Sequence, residues 1–360
     1  MSIEQSAVLE ALKAVRDPDL GRDIVGLGFI KGLKIDAGRV AFTIELTTPA
    51  CPVKDQMRDQ ARAAVMQLPG VTAVDVELSA RVREAVGSES GRTPVPGVKN
   101  IIAVGAGKGG VGKTTVAVNL AIALQQYGSR VGIIDADMYG PNVPIMLGMK
   151  KTELITDGKK IVPAEKYGLQ LISMAFLTEE DAPVIWRGPM LHGAIQQFFR
   201  EVLWNDLDYL VIDLPPGTGD VVLSLSQSVP VAGAIVVTTP QQVSLADSRR
   251  ALAMYKKLNI PPLGIVENMS HFVCPDCGHE ADIFGHGGGE RMATDLKVPF
   301  LGRIPLYQPI REGSDTGIPL LIAEPDSPAG RAIRAVAERT AAQVSIAGYR
   351  RPTIPLTVVS

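Results

Sequence analysis

The segment GAGKGGVGKTT at residues 105–115 constrains the fold of this chain more than any other. It contains the pattern G-x-x-x-x-G-K-[ST], with Gly107, Gly112, Lys113 and Thr114 at the fixed positions. The apolar segment NIIAVG precedes it and TTVAVNLAIALQQYG follows it, which predicts a strand, a glycine-rich loop and a helix. In such a loop, backbone N–H groups and the helix N-terminus surround phosphate oxygens. We expect Lys113 to reach the β and γ phosphates of ATP and the Thr114 hydroxyl to hold Mg²⁺.

Two later segments supply the carboxylates that a magnesium–nucleotide site needs. IIDADMYGPN contains Asp135 and Asp137, and YLVIDLPPGTGD contains Asp213. Ligands of open α/β sheets bind at the carboxyl ends of the strands, where these aspartates lie. Asp213 ends a buried strand before Pro-Pro-Gly, so it fits a Walker B position with Gly217 as a sensor of the γ-phosphate. Asp137 has the better claim to orienting the attacking water, because Asp135 is also explained as a turn or helix cap.

The apolar pattern divides the chain into two predicted domains. Residues 1–80 combine helical spacing with alternating runs around the turn 36–38, which predicts a small α+β domain. Residues 81–97 lose all periodicity and are expected to be a linker. Residues 98–345 alternate continuous apolar runs with helical stretches, which predicts an α/β domain with a doubly wound parallel sheet. Residues 346–360 are a short tail without an amphipathic helix.

The predicted strands and helices of the larger domain follow from these runs. The strands are expected at 100–105, 131–135, 209–213, 234–239 and 263–268, and the helices at 114–127, 190–204, 244–258 and 328–344.

Composition and charge restrict the possible partners and the compartment. The 360 residues are 46% hydrophobic and 21% charged, which is ordinary for a globular protein with a sizeable core. A net charge of −2 argues against nucleic acid or an anionic membrane as a partner. The chain shows neither a signal peptide nor an apolar run of about 18 residues. Its 3 cysteines do not resemble a secreted disulfide framework, so we expect a cytoplasmic protein.

Cys274 and Cys277 form a C-x-x-C motif within NMSHFVCPDCGHEADIFGHGGGE. Two thiolates at this spacing can converge on one metal. A zinc knuckle would need two more ligands, and the nearby His271, His279 and His286 do not form an H-x₃₋₅-H pattern. A redox disulfide and a chance pair are further alternatives. An iron–sulfur cluster takes about four thiolates, which two copies of the chain would supply together.

A second lysine, Lys108, directly follows the first glycine of the phosphate-binding loop. The resulting sequence KGGVGK resembles the deviant Walker A loop of the dimeric ATPases that include nitrogenase iron protein and the MinD/ParA group. This resemblance implies that Lys108 reaches across a dimer interface to the partner's nucleotide. A cation there neutralises charge on the transferred phosphate, as an arginine finger does. It also implies a homodimer that sandwiches two nucleotides.

Six segments in order resemble the Mrp/ApbC family of iron–sulfur cluster carrier ATPases over 98–345: GKGGVGKTT, DADMYGPN, DLPPGTGD, ENMSHFVCPDCGH, DIFGHGGGE and IPLYQPIREGSDTGIP. The resemblance implies a P-loop NTPase fold and an adenine contact from Asn268. It also implies a [4Fe–4S] cluster on Cys274 and Cys277 of both chains, received from upstream scaffold proteins and passed to apo iron–sulfur clients.

The segments RDPDLGRDIVGLGFI and TTPACP resemble the small iron–sulfur assembly-type domain often fused ahead of this ATPase, and Cys51 matches its characteristic cysteine. Cys51 stands just before a predicted helix, whose N-terminal dipole should lower the pKa of the thiol. A small buried hydrophobic side chain is an equally good interpretation of this residue.

These arguments give a set of expected site residues and an alternative function. The chemistry is assigned to Lys108, Lys113 and Asp137, and the cluster to Cys274 and Cys277. The alternative is a metal-free positioning ATPase of the MinD/ParA kind, which does not need the C-x-x-C motif. A third possibility is an electron-transfer ATPase like nitrogenase iron protein. The residues expected at the nucleotide and its Mg²⁺ are Gly107, Lys108, Gly109, Gly110, Val111, Gly112, Lys113, Thr114, Thr115, Asp213, Gly217 and Asn268.

Overall fold

The computed structural model describes residues 3–84, 92–138, 140–150, 154–177, 188–217, 219–274 and 277–350. The chain divides into two compact units. The first comprises Met1–Arg83 with Ser345–Ser360, and the second comprises Glu84–Val344.

The first unit is a three-stranded sheet with helices. Its elements are α1 (Gln5–Leu12), β1 (Ile30–Asp36), β2 (Arg39–Leu46), α2 (Lys54–Met66) and β3 (Ala73–Ala80). β1 and β2 pair antiparallel through Asp36 and Arg39, which confirms the predicted hairpin, and β3 runs parallel to β2. The turn residues Ala37 and Gly38 have φ of 43° and 86°, a conformation that favours glycine. The buried face agrees with the predicted pattern and includes Val40, Phe42, Ile44, Leu46, Met57, Ala61 and Val65.

The second unit contains the remaining elements. Its strands are β4 (Val98–Ala106), β5 (Val131–Asp135), β6 (Ile155–Asp157), β7 (Lys160–Val162), β8 (Ala164–Lys166), β9 (Leu169–Ser173), β10 (Leu207–Asp213), β11 (Gly233–Thr238), β12 (Pro262–Glu267), β13 (Phe272–Val273), β14 (Glu280–Ala281) and β15 (Phe300–Arg303). Its helices are α3 (Lys113–Gln126), α4 (Val143–Met146), α5 (Gly188–Arg200), α6 (Asp220–Ser228), α7 (Gln242–Lys257), α8 (Gly288–Leu296), α9 (Gln308–Thr316), α10 (Leu320–Ala323) and α11 (Pro328–Arg350), whose residues from Ser345 onward belong to the first unit.

An 8-stranded sheet, in the order β15-β12-β11-β4-β10-β5-β9-β8, forms the centre of the second unit. All neighbouring strands are parallel except β8 and β9. This confirms the predicted parallel α/β sheet. β4 lies between β10 and β11, so the loop that follows β4 emerges near the middle of the carboxyl edge. That edge is where ligands of such sheets bind.

The sequence prediction differs from the structure towards the edges of the sheet, at the end of the last helix, and in five helices that were not predicted: α4, α6, α8, α9 and α10. The edge strands β8 and β15 and the strand β9 beside β8 were not predicted. β8 and β15 have three and four residues, and the polar Gln170 interrupts the apolar run of β9. The helix expected to end at residue 344 continues to Arg350, so the first residues of the predicted tail are helical. Tyr349 packs against the core of the first unit. This contact explains why Gly348 does not end the helix.

The predicted linker 81–97 is ordered at both ends. The N–H of Arg81 donates to the carbonyl of Leu46 at 2.8 Å, and Val82 is buried. At the other end, the N–H of Thr93 donates to the carbonyl of Ser228, and Val95 is buried. Residues 85–91 lie outside the described part of the chain.

Two buried hydroxyls of α7 have no hydrogen-bond partner within the described residues, and one of them is that of Ser248. The other can be removed by a substitution that deletes a single oxygen atom. It belongs to Tyr255, whose side chain is fully buried against Gly105, where a Cβ would overlap the hydroxyl oxygen. We expect Tyr255→Phe to raise the free energy of unfolding by about 1 kcal/mol, because an unpaired buried polar group is removed. Tyr127→Phe, which loses a hydrogen bond to Glu338, should lower it instead. Urea denaturation measures both, and a less stable Tyr255→Phe protein would contradict the assignment.

Candidate functional site

Close packing forces glycine at two fixed positions of the phosphate-binding loop. A Cβ on Gly107 would overlap the backbone of Asp247 in α7. Gly112 has φ of 80°, and a Cβ there would overlap the side-chain amide of Asn268. The loop therefore lies against α7 on one side and against the end of β12 on the other, which fixes its backbone.

Residues from separate segments converge at the start of α3. The Lys113 Nζ lies 2.7 Å from the Oδ1 of Asp213 and 3.6 Å from the Oδ2 of Asp137. The Thr114 hydroxyl donates to the Oδ2 of Asp213 at 2.7 Å. Asp213 is fully buried, and only 7% of the Lys113 side chain is exposed. The structure thus brings together the predicted loop residues, the carboxylate of Asp213 at the end of β10 and that of Asp137, two residues beyond the end of β5.

This cluster fits a magnesium ion bound together with a nucleotide. A hydroxyl and a carboxylate oxygen lie 2.7 Å apart on Thr114 and Asp213, and oxygen atoms are the ligands that Mg²⁺ prefers. In the part of the chain that the structure describes, no group of three or more His, Cys, Asp or Glu side chains could hold a metal by itself. The remaining ligands would have to be phosphate oxygens and water, as is usual for Mg²⁺.

Burial raises the pKa of Asp213, and the neighbouring ammonium of Lys113 opposes this effect. Burial and the adjacent carboxylate of Asp213 also raise the pKa of Asp135, which pairs with Asp213 across β5 and β10. Two adjacent buried carboxylates favour a cation between them and the phosphates. Lys113 supplies one cation, and a bound metal ion would supply another.

Asp135 and Asp137 differ in their surroundings. The Oδ atoms of Asp135 accept hydrogen bonds from two backbone N–H groups and from the hydroxyl of Ser173, whereas Asp137 lies near Lys113. The contact with Ser173 was missed from the sequence, because β9 was not predicted. A short apolar run, LQLI, ending in serine was the available signal.

The other loop residues are more accessible. Lys108 is half-buried, and its side chain makes no ion pair or hydrogen bond to any residue that the structure describes. Gly109 and Gly110 are exposed. The half-buried Thr115 accepts a hydrogen bond from Asn119 through its carbonyl. These residues leave one side of the loop open to a ligand or to a partner.

Two further predicted residues lie against the same loop. Gly217 has φ of 89°, and its N–H donates to the carbonyl of Ala106 at 3.0 Å, directly before the loop. The Nδ2 of the buried Asn268 donates to the carbonyl of Val111 at 2.9 Å. The family resemblance implied that Asn268 contacts the adenine. In this structure its side-chain amide instead bonds to the phosphate-binding loop.

The C-x-x-C motif lies in a turn between two short antiparallel strands, β13 and β14. The N–H of Cys274 donates to the carbonyl of His279, and the N–H of Gly278 donates to the carbonyl of Cys274, both at 2.9 Å. Cys274 is half-buried, Cys277 is exposed, and neither is in a disulfide. Within the described residues, no neighbouring histidine completes a group of three metal ligands here. The turn therefore presents a pair of thiols near the surface.

The predicted lowering of the Cys51 pKa is wrong. Burial raises the pKa of this thiol to about 11, and the carboxylates of Asp17 and Asp19 raise it further. A backbone hydrogen bond from Val53 at the start of the helix acts in the opposite direction but is smaller than the effect of burial. Cys51 belongs to the hydrophobic core of the first unit, which supports its interpretation as a small buried side chain.

None of the helices in the described part of the chain is both long enough and apolar enough to cross a membrane.

Two family models match the chain in succession. Residues 97–341 match the family described as NUBPL iron-transfer P-loop NTPase. Residues 5–76 match the family described as iron-sulfur cluster assembly protein.

Named relatives are similar over nearly the full length. The "iron-sulfur cluster carrier protein" of Synechocystis sp. is 48% identical over 346 residues, covering 95% of this chain and 98% of the relative. A protein of the same name from Deinococcus radiodurans is 48% identical over 341 residues, covering 94% and 95%. Among solved structures, a nucleotide-binding protein from Archaeoglobus fulgidus in complex with ADP has a TM-score of 0.58 and 36% identity. The match covers 66% of this chain and 92% of the chain of the Archaeoglobus fulgidus protein.

Proposed function

Because this chain belongs to the family of iron-transfer P-loop NTPases, we propose that it is an ATP-hydrolysing carrier of iron–sulfur clusters. One observation supports this most directly: a single unit contains both the Lys113–Thr114–Asp213 site and the turn of the half-buried Cys274 and the exposed Cys277. The names of its full-length relatives agree with this proposal. ATP binding and hydrolysis would control loading or release of the cluster.

The distances around Lys113 support a proposed role at the nucleotide for each of these residues. Lys113 would bind the β and γ phosphates, and Gly217 would contact the γ-phosphate. Thr114 and Asp213 would hold Mg²⁺, which when bound neutralises charge on the phosphates. Asp137, whose carboxylate lies 3.6 Å from the Lys113 Nζ, would orient the attacking water. Asn268 would contact the adenine or, through Val111, shape the loop that binds the phosphates.

The cluster is the cargo of this protein. A [4Fe–4S] cluster takes about four thiolates, and each chain offers Cys274 and Cys277 in one turn. We therefore propose a homodimer in which both turns face each other and share one cluster. Scaffold proteins would supply the cluster, and apo iron–sulfur proteins would receive it.

The proposal also concerns the compartment and the domains. A pair of thiols near the surface that holds a cluster needs the reducing conditions of the cytosol. We assign residues 1–80 to an iron–sulfur assembly-type domain and residues 98–345 to the ATPase, with 81–97 as the linker between them. The first assignment is supported by the family match at residues 5–76.

A metal-free positioning ATPase is the less favoured function. Such a protein would use the same loop and the same kind of dimer. It would have no need of a thiol pair presented in a surface turn, as Cys274 and Cys277 are here.

Anaerobic reconstitution with iron and sulfide tests the proposed function. We expect a brown protein with a broad visible absorption band and about four irons and four sulfides per cluster. A colourless protein that retains only zinc, yet hydrolyses ATP, would contradict the carrier function and favour the alternative.

Lys108 provides a test of the dimer. Its side chain has no ion-pair partner within the described residues, so it is available to a second chain. We expect Lys108→Ala to bind ATP with little change and to lose turnover by about 100-fold, the usual cost of removing a cation that contacts the transition state. Mixing it with Lys113→Ala chains should restore part of the activity, because mixed dimers retain one complete site. A loss of ATP affinity as large as that of Lys113→Ala would instead place Lys108 in its own chain's site.

A further inference from the structure

The carboxylate of Asp135 connects the two ends of the loop that contains Asp137. Asp135 is the last residue of β5 and is fully buried. Its Oδ1 accepts a hydrogen bond from the N–H of Asp137 at 3.2 Å. Its Oδ2 accepts one from the N–H of Val143, the first residue of α4, at 3.1 Å. The Asp135 side chain therefore accepts hydrogen bonds from both ends of the connection between β5 and α4.

The neighbouring strand fixes the orientation of this carboxylate. Ser173 ends β9 and pairs in register with Asp135. Its hydroxyl donates to the Oδ2 of Asp135 at 3.0 Å, and the Oγ of Ser173 itself accepts a hydrogen bond from the N–H of Ala175 at 3.1 Å. Ser173 is fully buried. Each polar atom thus has a fixed hydrogen-bonding role, so the carboxylate has little freedom to rotate.

We infer that Asp135 is a positioning residue for ATP hydrolysis, which holds Asp137 at the right distance from Lys113 without contacting the nucleotide itself. Asp137 lies 3.6 Å from the Lys113 Nζ, whereas Asp135 makes no ion pair with Lys113 within the described residues. This inference rests on the proposed role of Asp137. Small displacements of a group that orients a reactant reduce turnover strongly, while ground-state binding changes little.

Asp135→Asn tests this role with almost no change of shape. The side-chain amide has only one acceptor oxygen, whereas both oxygens of Asp135 accept backbone N–H groups. Whichever way the amide is turned, the N–H of either Asp137 or Val143 loses its acceptor. Ser173→Ala is a milder change, since it removes only the hydroxyl that orients the carboxylate. Ser244→Ala is the matched control, a buried, hydrogen-bonded serine in α7.

The experiment measures phosphate release and the affinity for a fluorescent ATP analogue with the full-length protein. We expect Asp135→Asn to lower kcat by about 100-fold with affinity changed by less than about threefold. Ser173→Ala should lower kcat by about fivefold, and Ser244→Ala should leave it unchanged. In an Asp137→Asn background, single-turnover assays with radiolabelled ATP should show almost no further loss from Asp135→Asn, because the two changes remove the same function.

Four results would overturn the inference, and a fifth would contradict the proposed role of Asp137. The first is that Asp135→Asn lowers turnover by the same factor with and without Asp137→Asn. The second is that Asp135→Asn lowers only the affinity for ATP and leaves kcat unchanged. If Asp135→Asn does not fold, wild-type kcat in Ser173→Ala is the third. Wild-type turnover in Asp137→Asn would contradict the proposed function of Asp137 itself. Wild-type turnover in Asp135→Asn beside an inactive Asp137→Asn would contradict only the positioning role.

Discussion

Lys113→Ala is expected to abolish ATP turnover, lowering it by about 1000-fold or to background. The Lys113 ammonium lies 2.7 Å from Asp213 and 3.6 Å from Asp137, and only 7% of the side chain is exposed. A cation that is shielded from solvent in this way stabilises developing negative charge far better than a cation in water. Phosphate release measures the turnover, and a fluorescent ATP analogue measures the accompanying loss of affinity.

The removal of this lysine also affects the buried carboxylates, so folding must be measured beside activity. The pKa of Asp213 is already raised by burial, and the ammonium opposes that effect. Circular dichroism and thermal unfolding will show whether the apo fold survives, as we expect. Lys99→Ala is the matched control, because Lys99 also forms a 2.7 Å ion pair, with Asp208, at the other end of β4. It should retain turnover, and wild-type turnover in Lys113→Ala would contradict the loop assignment.

The parts of the site that were predictable from sequence are those determined by local chemistry. The loop motif lies between an apolar strand and an apolar helix, so its position followed from neighbouring residues alone. Asp137 and Asp213 follow buried strands, and parallel strands place their carboxyl ends at one edge of a sheet. Convergence of these residues at Lys113 was therefore expected before any distance was known, and the structure supplies the distances.

Contacts between distant segments were not predictable. The hydrogen bond from Ser173 to Asp135 depends on the pairing of β5 with β9, and the bond from Asn268 to Val111 spans the loop and the end of β12. The prediction that the pKa of Cys51 is lowered was wrong for a related reason. A helix start lowers a thiol pKa only where solvent or a cation stabilises the thiolate, and Cys51 is instead buried beside acidic groups.

The fold shows the same division between local and distant information. Central strands such as β4 and β10 are buried on both faces, so their sequences are continuous apolar runs that are easy to identify. α8 begins with Gly288 and Gly289, residues of low helix propensity that no local rule would place in a helix. A Cβ on Gly288 would lie 2.6 Å from Leu245, and one on Gly289 would lie 3.0 Å from the Cβ of Glu267. Close packing therefore requires these glycines.

Cys274→Ser and Cys277→Ser should each eliminate stable cluster binding after anaerobic reconstitution. A cluster needs about four thiolates, and a symmetric dimer that shares one cluster loses two ligands with each change. The wild-type protein should therefore contain one cluster per two chains, measured as about two irons and two sulfides per chain. ATP hydrolysis should persist at least in part, since the side chains of Lys113 and Asp213 belong to different segments of the chain from the cysteine turn.

Cys51→Ser is the matched control for these variants. Its thiol is buried in the core of the first unit, whereas Cys274 and Cys277 belong to the second unit, and burial raises its pKa to about 11. Iron content and the visible spectrum of Cys51→Ser should therefore equal those of the wild type, although a buried hydroxyl will lower its stability. Size-exclusion chromatography of the reconstituted protein gives the chain count for each cluster. About four irons on a monomer, or a cluster retained by Cys277→Ser, would contradict the shared site and require ligands beyond the cysteine turn.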